Sequence, residues 1–317
     1  MHSVPTATLL DMPHDRAREV LSSGAPVFLF INPVEYHGPH LPLHNDLLVS
    51  LGLARDLHRR WSEQHPAWPF LSAGDLEIGV APTKGLGSRH TAFPAACALV
   101  REACRALVEL GARKVVLMTF HGAPLHNLAI EEGVILLEEA GVRALAPFNT
   151  AMRFLLDVDP AAFPEAFAAI EDPVEREQMM RELFLDFHAG FFETSMTLHY
   201  APDSVSPAHR ALPPCPRVEP VALFARASRL AATAGKAELS RELSLVAWGM
   251  GWQLLDPFPG YTGRPHLASA AAGAAIARHM IDRYAALSEE VFAGRARSPE
   301  PILRWTAAAT LRGRILT

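Results

Sequence analysis

Short apolar runs alternate along this chain with segments of helical spacing. Residues 26–32 (Pro-Val-Phe-Leu-Phe-Ile-Asn) form a continuous apolar run, the pattern of a strand buried on both faces of a parallel sheet. Residues 114–120 (Lys-Val-Val-Leu-Met-Thr-Phe) repeat it, and residues 143–147 read as another short strand. Helical spacing is predicted over 46–61, 94–110 and 125–139, with Gly111 and Gly141 placed as C-terminal stops. This alternation predicts α/β layers around a mostly parallel sheet.

The pattern changes further on. Residues 154–187 are richer in acids, carry Pro160, Pro164 and Pro173, and lead into a helical stretch with Met179, Met180, Leu183, Phe184 and Phe187. We expect this segment to pack over the mouth of the sheet. Residues 204–220 are proline-rich and read as a long loop. From Val221 onward an alanine-rich region holds two helical patterns and an aromatic turn cluster over 248–261. With no internal repeat or low-complexity tract, the expected organisation is one domain over 1–317 with an elaborated C-terminal third.

Composition narrows the class. Half of the 317 residues are apolar, enough to bury a full core. A net charge of −5 without a basic stripe excludes a nucleic-acid footprint. The longest apolar stretches, such as 268–277, are far below the roughly 18 residues of a membrane span. Early acids (Asp11, Asp15) and the lack of a basic region before an apolar one do not read as a signal peptide, so a cytosolic location is expected. Cys97, Cys104 and Cys215 form no C-x-x-C pair, which argues against a disulfide framework or a cysteine zinc site. Cys97 and Cys104, seven apart on a predicted helix, are expected to be buried as small apolar side chains.

The chemistry concentrates after the first strand, where residues 33–46 hold Glu35, His37, His40, His44 and Asp46. Glu35 and His37 are two apart, so an extended backbone points both the same way, as two ligands of one cluster require. Asp46 opens a helix, where it either caps the N-terminus or turns toward the strand ends. His121 follows the second strand and reaches the same carboxyl edge, where open α/β sheets build sites. His188 and Glu193, five apart across Gly190, read either as a further site group or as a helix end capped by Thr194 or Ser195. His40 is expected to brace its loop, and His44, His126 and His199 to be solvated or core residues. Ser88 and His90 are candidate pocket-lining residues. Ser88 lacks the strand-to-helix G-x-S-x-G setting of a nucleophile, and Lys84-Gly85-Leu86-Gly87 lacks the spacing of a phosphate loop.

These residues resemble the creatininase (creatinine amidohydrolase) family. Its Glu-x-His-Gly-Pro-His-Leu-Pro-x-x-x-Asp motif is matched by Glu35, His37, Gly38, Pro39, His40, Leu41, Pro42 and Asp46. Weaker blocks follow in the family's order, with Ser88, His90, Phe93 and Pro94, then Phe120-His121-Gly122, then His188 to Ser195, and finally Gly263 to Gly273. The resemblance covers about 26–277, leaving 278–317 as an expected helical extension.

The resemblance implies a three-layer α/β/α fold, a homo-oligomer (commonly a hexamer), a small-molecule substrate and two divalent metals, zinc with zinc, manganese or iron as the second. Carried over by position, Glu35 and His121 hold one metal, His37 the other, and Asp46 bridges them. In creatininase a glutamate two residues after the strand-end histidine completes the second metal; here that position is Ala123, and Glu193 is the expected replacement. His188 is the expected proton donor, with Ser88, His90 and Gly122 on the substrate side. The tyrosine and tryptophan-aspartate pair with which creatininase holds its substrate are replaced by Gly122 and Phe184-Leu185, so creatinine is not the expected substrate. Three readings follow: hydrolysis of a cyclic amide or formamide C–N bond, hydrolysis of a C–C bond in a cyclic ketone of sugar or inositol catabolism, and a non-catalytic α/β binding protein.

Overall fold

The computed structural model describes residues 6–157 and 159–315; the ends of the expected 1–317 domain lie outside these. Among the described residues one sheet contains β1 (Thr6–Thr8), β2 (Val27–Asn32), β3 (Phe70–Glu77), β4 (Lys114–Met118) and β5 (Arg143–Leu145). They are ordered β1-β3-β2-β4-β5, and every pairing is parallel. The helices are α1 (His14–Ser22), α2 (Asn45–Ser62), α3 (Phe93–Leu110), α4 (Pro124–Glu139), α5 (Phe148–Leu155), α6 (Pro173–Glu182), α7 (Phe191–Tyr200), α8 (Ala222–Thr233), α9 (Ala237–Gln253), α10 (Ala270–Phe292) and α11 (Trp305–Ala309).

Alternation along β2 creates the layers. Phe28 and Phe30 join one core with Val49, Leu53 and Leu57 of α2, Phe191 and Met196 of α7, and Ile276, Met280 and Tyr284 of α10. Val27, Leu29 and Ile31 point the other way, into a core with Leu21 of α1, Val100 and Cys104 of α3, and Ile130 and Val134 of α4. A sheet buried on both faces needs strands apolar at every position, which is why β2 and β4 read as unbroken runs. Cys97 and Cys104 are buried in the second core, as expected.

The connections place a crevice at β2. From β1 to β2, β3 to β4 and β4 to β5 the chain steps toward the β5 edge, through α1, α3 and α4 on one face. Only from β2 to β3 does it step back, and that connection, α2, lies on the opposite face. Such a reversal opens the carboxyl ends of the central strands, where α/β sheets bind their ligands.

Some elements depart from the sequence-based expectations. β3 is not marked by an apolar run because Ser72, Gly74 and Asp75 interrupt it. β1 pairs only with residues 70–72, so the rest of that edge stays partly exposed and tolerates polar residues. The expected aromatic turn cluster is half helix, since α9 runs through Trp248 and Trp252 to Gln253. Phe163, Phe167, Ile170 and Met179, from the segment expected over the sheet mouth, join the core beneath α7 and α10, where Phe167 stacks on Phe191 at 5.6 Å. The expected extension from 278 begins inside α10, whose Ile276, Met280 and Ile281 lie in one core. No helix among the described residues is long and apolar enough to cross a membrane.

Candidate metal centre

The loop leaving β2 carries Glu35 and His37, and α2 presents Asp46 in its first turn. The end of β4 delivers His121, and α7 with its preceding loop delivers Glu193 and His188. All six are buried, none more than 9% exposed. His121 Nδ1 lies 2.8 Å from Glu35 Oε2 and 3.8 Å from Asp46 Oδ2. His37 Nε2 lies 3.2 Å from Asp46 Oδ1 and 3.7 Å from Glu193 Oε2. Three sets of ligand atoms therefore cluster closely enough for one ion each: Glu35, Asp46 and His121; His37, Asp46 and Glu193; and Glu35, His37 and His188. The first two share Asp46.

The ring nitrogens are committed in a way that suits ligation. His37 Nδ1 sits 3.0 Å from the Glu35 carbonyl oxygen and His121 Nε2 sits 3.2 Å from that of Val80. A carbonyl only accepts, so these nitrogens carry the protons and leave His37 Nε2 and His121 Nδ1 with lone pairs facing the cluster. Glu35 Oε2, His37 Nε2 and both Asp46 oxygens make no hydrogen bond despite their burial. Buried carboxylate oxygens left without a hydrogen bond are costly. Carboxylate and imidazole together are the donor set of zinc and manganese, so the residues present fit divalent cations.

Without a cation, the imidazoles supply the positive charge that faces the buried carboxylates. Burial alone would raise the Glu35 carboxyl, but the imidazoles of His121, His188 and His37 outweigh it and hold it well below the usual range. Burial likewise opposes charge on His37, yet Asp46, Glu35 and Glu193 push it up to about 10. His121 rises to about 9 because Glu35 and Asp46 overcome its desolvation. Glu193 is raised, chiefly by burial, with Asp46 and Glu35 adding repulsion. His188 goes the other way, down to about 3, through burial and the nearby His37.

The remaining predicted residues divide. Ser88 is half-buried, with its hydroxyl bonded to the backbone of Tyr36 and Thr83. His90 and Gly122 are exposed, Gly122 beside Met152. His40 braces its loop as expected, with Nε2 2.8 Å from Thr194 Oγ1. His126 is buried edge-on against His121 at 4.9 Å, whereas His44 and His199 are exposed.

Three supports escaped the sequence reading. The Thr262 hydroxyl accepts from the amides of Phe187 and His188 and donates to the His188 carbonyl. Asp186 accepts from the amides of Phe191 and Phe192 at the start of α7. Asn127 donates to the carbonyls of His121 and Ala123. Asp186 carried a signal, a lone acid between Leu185 and Phe187.

A parallel α/β fold with buried carboxylates and imidazoles gathered at its switch point defines a metal-binding enzyme of the α/β class. The particular family is creatininase, described as creatinine amidohydrolase: its sequence profile matches residues 9–288, and the chain belongs to it. Members of this family are metal-dependent amidohydrolases. Solved structures agree on the fold. A putative creatinine amidohydrolase from Bacteroides fragilis NCTC 9343 superposes with a TM-score of 0.61 at 19% identity, over 92% of this chain and 98% of that one. A creatininase described as the manganese form gives 0.54 at 20% identity, over 90% and 99%. A mutant creatininase of Zn-Zn type gives 0.56 at 18% identity, over 90% and 98%. No curated protein matches the chain.

Proposed function

We propose that this protein is a dinuclear metal-dependent hydrolase cleaving a non-peptide C–N bond in a small cyclic amide or formamide. Glu35 and His121 would hold one ion, His37 and Glu193 the other, and Asp46 would span both. The observation that carries this reading is the pair of buried ligand groups with Asp46 in common. Glu193 stands in for the side chain missing at Ala123, because its Oε2 lies 3.7 Å from His37 Nε2.

Two such ions would supply Lewis acidity toward a carbonyl and lower the pKa of a water nucleophile toward about 7. The chain's own residues manage the protons and the geometry. His188 Nε2 donates to the Tyr36 carbonyl at 3.0 Å, which leaves Nδ1 as a lone pair toward the cluster. From that position His188 would accept the proton of the attacking water and return it to the departing nitrogen. Its ring stacks on His37 at 4.4 Å and meets Trp252 in a tilted contact at 5.2 Å, and Trp252 is itself fixed by its indole N–H on the Tyr261 carbonyl. Gly122 and Ala123 carry no hydroxyl or carboxylate near the mouth, which favours a substrate other than creatinine.

We also propose one domain over the whole chain, a cytosolic location and a homo-oligomer, the last tested by light scattering on a sizing column. Metal analysis and a product screen test the catalytic reading. We expect about two equivalents of zinc or manganese per chain, one after Glu193→Gln and none after Asp46→Asn. Cyclic amides or formamides should release an amine, ammonia or formate. Metal-replete protein that holds no ion would exclude the reading, and a ring-opened keto acid formed from a cyclic ketone without amide cleavage would reassign the bond.

A further inference from the structure

The loop between β3 and α3 does more than connect them. It lies along the ligand-bearing segment after β2 and binds three consecutive residues of it. The Arg89 amide donates to the Val34 carbonyl at 2.9 Å, the Thr83 amide donates to Glu35 Oε1 at 2.5 Å, and the Tyr36 amide donates to Ser88 Oγ at 2.9 Å. Ser88 then closes the circuit by donating to the Thr83 carbonyl at 2.7 Å. Its hydroxyl therefore joins the residue that holds Glu35 to the residue that follows Glu35.

Packing presses the same strap onto the segment. A Cβ at Gly85 would stand 2.2 Å from Tyr36 Cγ, so the loop backbone lies directly on the tyrosine ring. A Cβ at Gly79 would stand 2.7 Å from Pro33 Cβ, which repeats the close approach at the other end. The consequence falls on Glu35. One carboxylate oxygen, Oε1, is taken by Thr83, while Oε2 is buried without a hydrogen bond and faces His121.

We propose that Ser88 is a positioning residue of the metal centre: through Thr83 it fixes Glu35 as a one-oxygen ligand, with Oε2 turned to the cation it shares with His121 and Asp46. This rests on the dinuclear reading above. It differs from a substrate-contact role because the hydroxyl acts through the backbone of residues 83 and 36. A ligand whose orienting bond is lost typically costs 10–100-fold in metal affinity.

The test is calorimetric titration of metal-free full-length protein with Mn²⁺ or Zn²⁺, with melting in EDTA recorded alongside. Ser88→Ala should weaken one of the two ions by about tenfold or more and leave the other near its wild-type affinity. Ser88→Thr, which keeps the hydroxyl, should restore it. Gly85→Ala, which lifts the strap from Tyr36 without touching the hydroxyl, should give the same one-ion loss. Wild-type affinity for both ions in Ser88→Ala, even with a lowered melting temperature, would make Ser88 merely structural and overturn the proposal. Wild-type protein that binds no metal would remove the dinuclear reading and this one together, so the two failures are distinguishable.

Discussion

The Asn127 side chain reaches back from the first turn of α4 to donate to the carbonyls of His121 and Ala123, at 2.8 and 3.0 Å. One amide thus clamps the strand-end loop that presents His121. Asn127→Leu should destabilise the protein by about 1–3 kcal/mol by depriving the buried His121 carbonyl of this donor. It should also weaken metal binding by about tenfold. Thermal melting and calorimetric titration check the two effects separately; a lower melting temperature with unchanged metal affinity would show that the loop keeps its shape without the clamp.

Thr262 performs a similar task for His188. Thr262→Val keeps the shape but leaves the amides of Phe187 and His188 without their acceptor, a loss of about 2 kcal/mol or more. With a substrate in hand, kcat should fall more than KM rises, because the imidazole is displaced and not the binding wall. Thr262→Ser, which retains all three bonds, should recover most of kcat.

Metal removal should be visible in stability alone. Glu35, Asp46 and Glu193 are buried together, and a cation bound only by the folded chain at 100 times its Kd adds about 2.7 kcal/mol. EDTA should therefore lower the melting temperature, and Mn²⁺ or Zn²⁺ restore it. Asp46→Asn should gain nothing from metal, whatever its melting temperature in EDTA. A metal-dependent rise in that variant would show that Asp46 is not shared.

Acid should act through His40. Burial, with His209 and His37 nearby, lowers its pKa from 6.5 to about 4. The unfolded chain then binds the extra proton between those values, so stability is full above about pH 6.5 and falls as pH drops toward 4, by on the order of 3 kcal/mol at most. Urea denaturation in EDTA at stepped pH should give a flatter acid limb for His40→Gln than for the wild type. Parallel limbs would place the titration elsewhere.

How much of this is written in the sequence depends on whether a feature is local. β2 and β4 are legible because both of their faces are buried, and Glu35, His37, Asp46 and His121 because two strand ends and the start of α2 deliver them to one edge. β3 is not, since its Gly74 and Asp75 lie beyond the reach of β1, on an edge that only the assembled sheet defines. His188 and Glu193 were ambiguous by spacing, and only the fold of α7 against α2 and α10 brings them to residues more than 150 positions earlier. Thr262 and Asn127 act by hydrogen-bonding backbone, which leaves no chemical signature in a side-chain pattern. The positioning role proposed for Ser88 has the same cause.

The two ligand groups that share Asp46 are completed at different points along the chain. Glu35, Asp46 and His121 have all emerged by residue 121, whereas the group of His37, Asp46 and Glu193 waits for residue 193. A chain growing from its N-terminus completes one ligand set while the other still lacks a member. On the two-ion reading proposed above, the second ion would then serve as a seal, entering only after α7 has closed on the layers made before it.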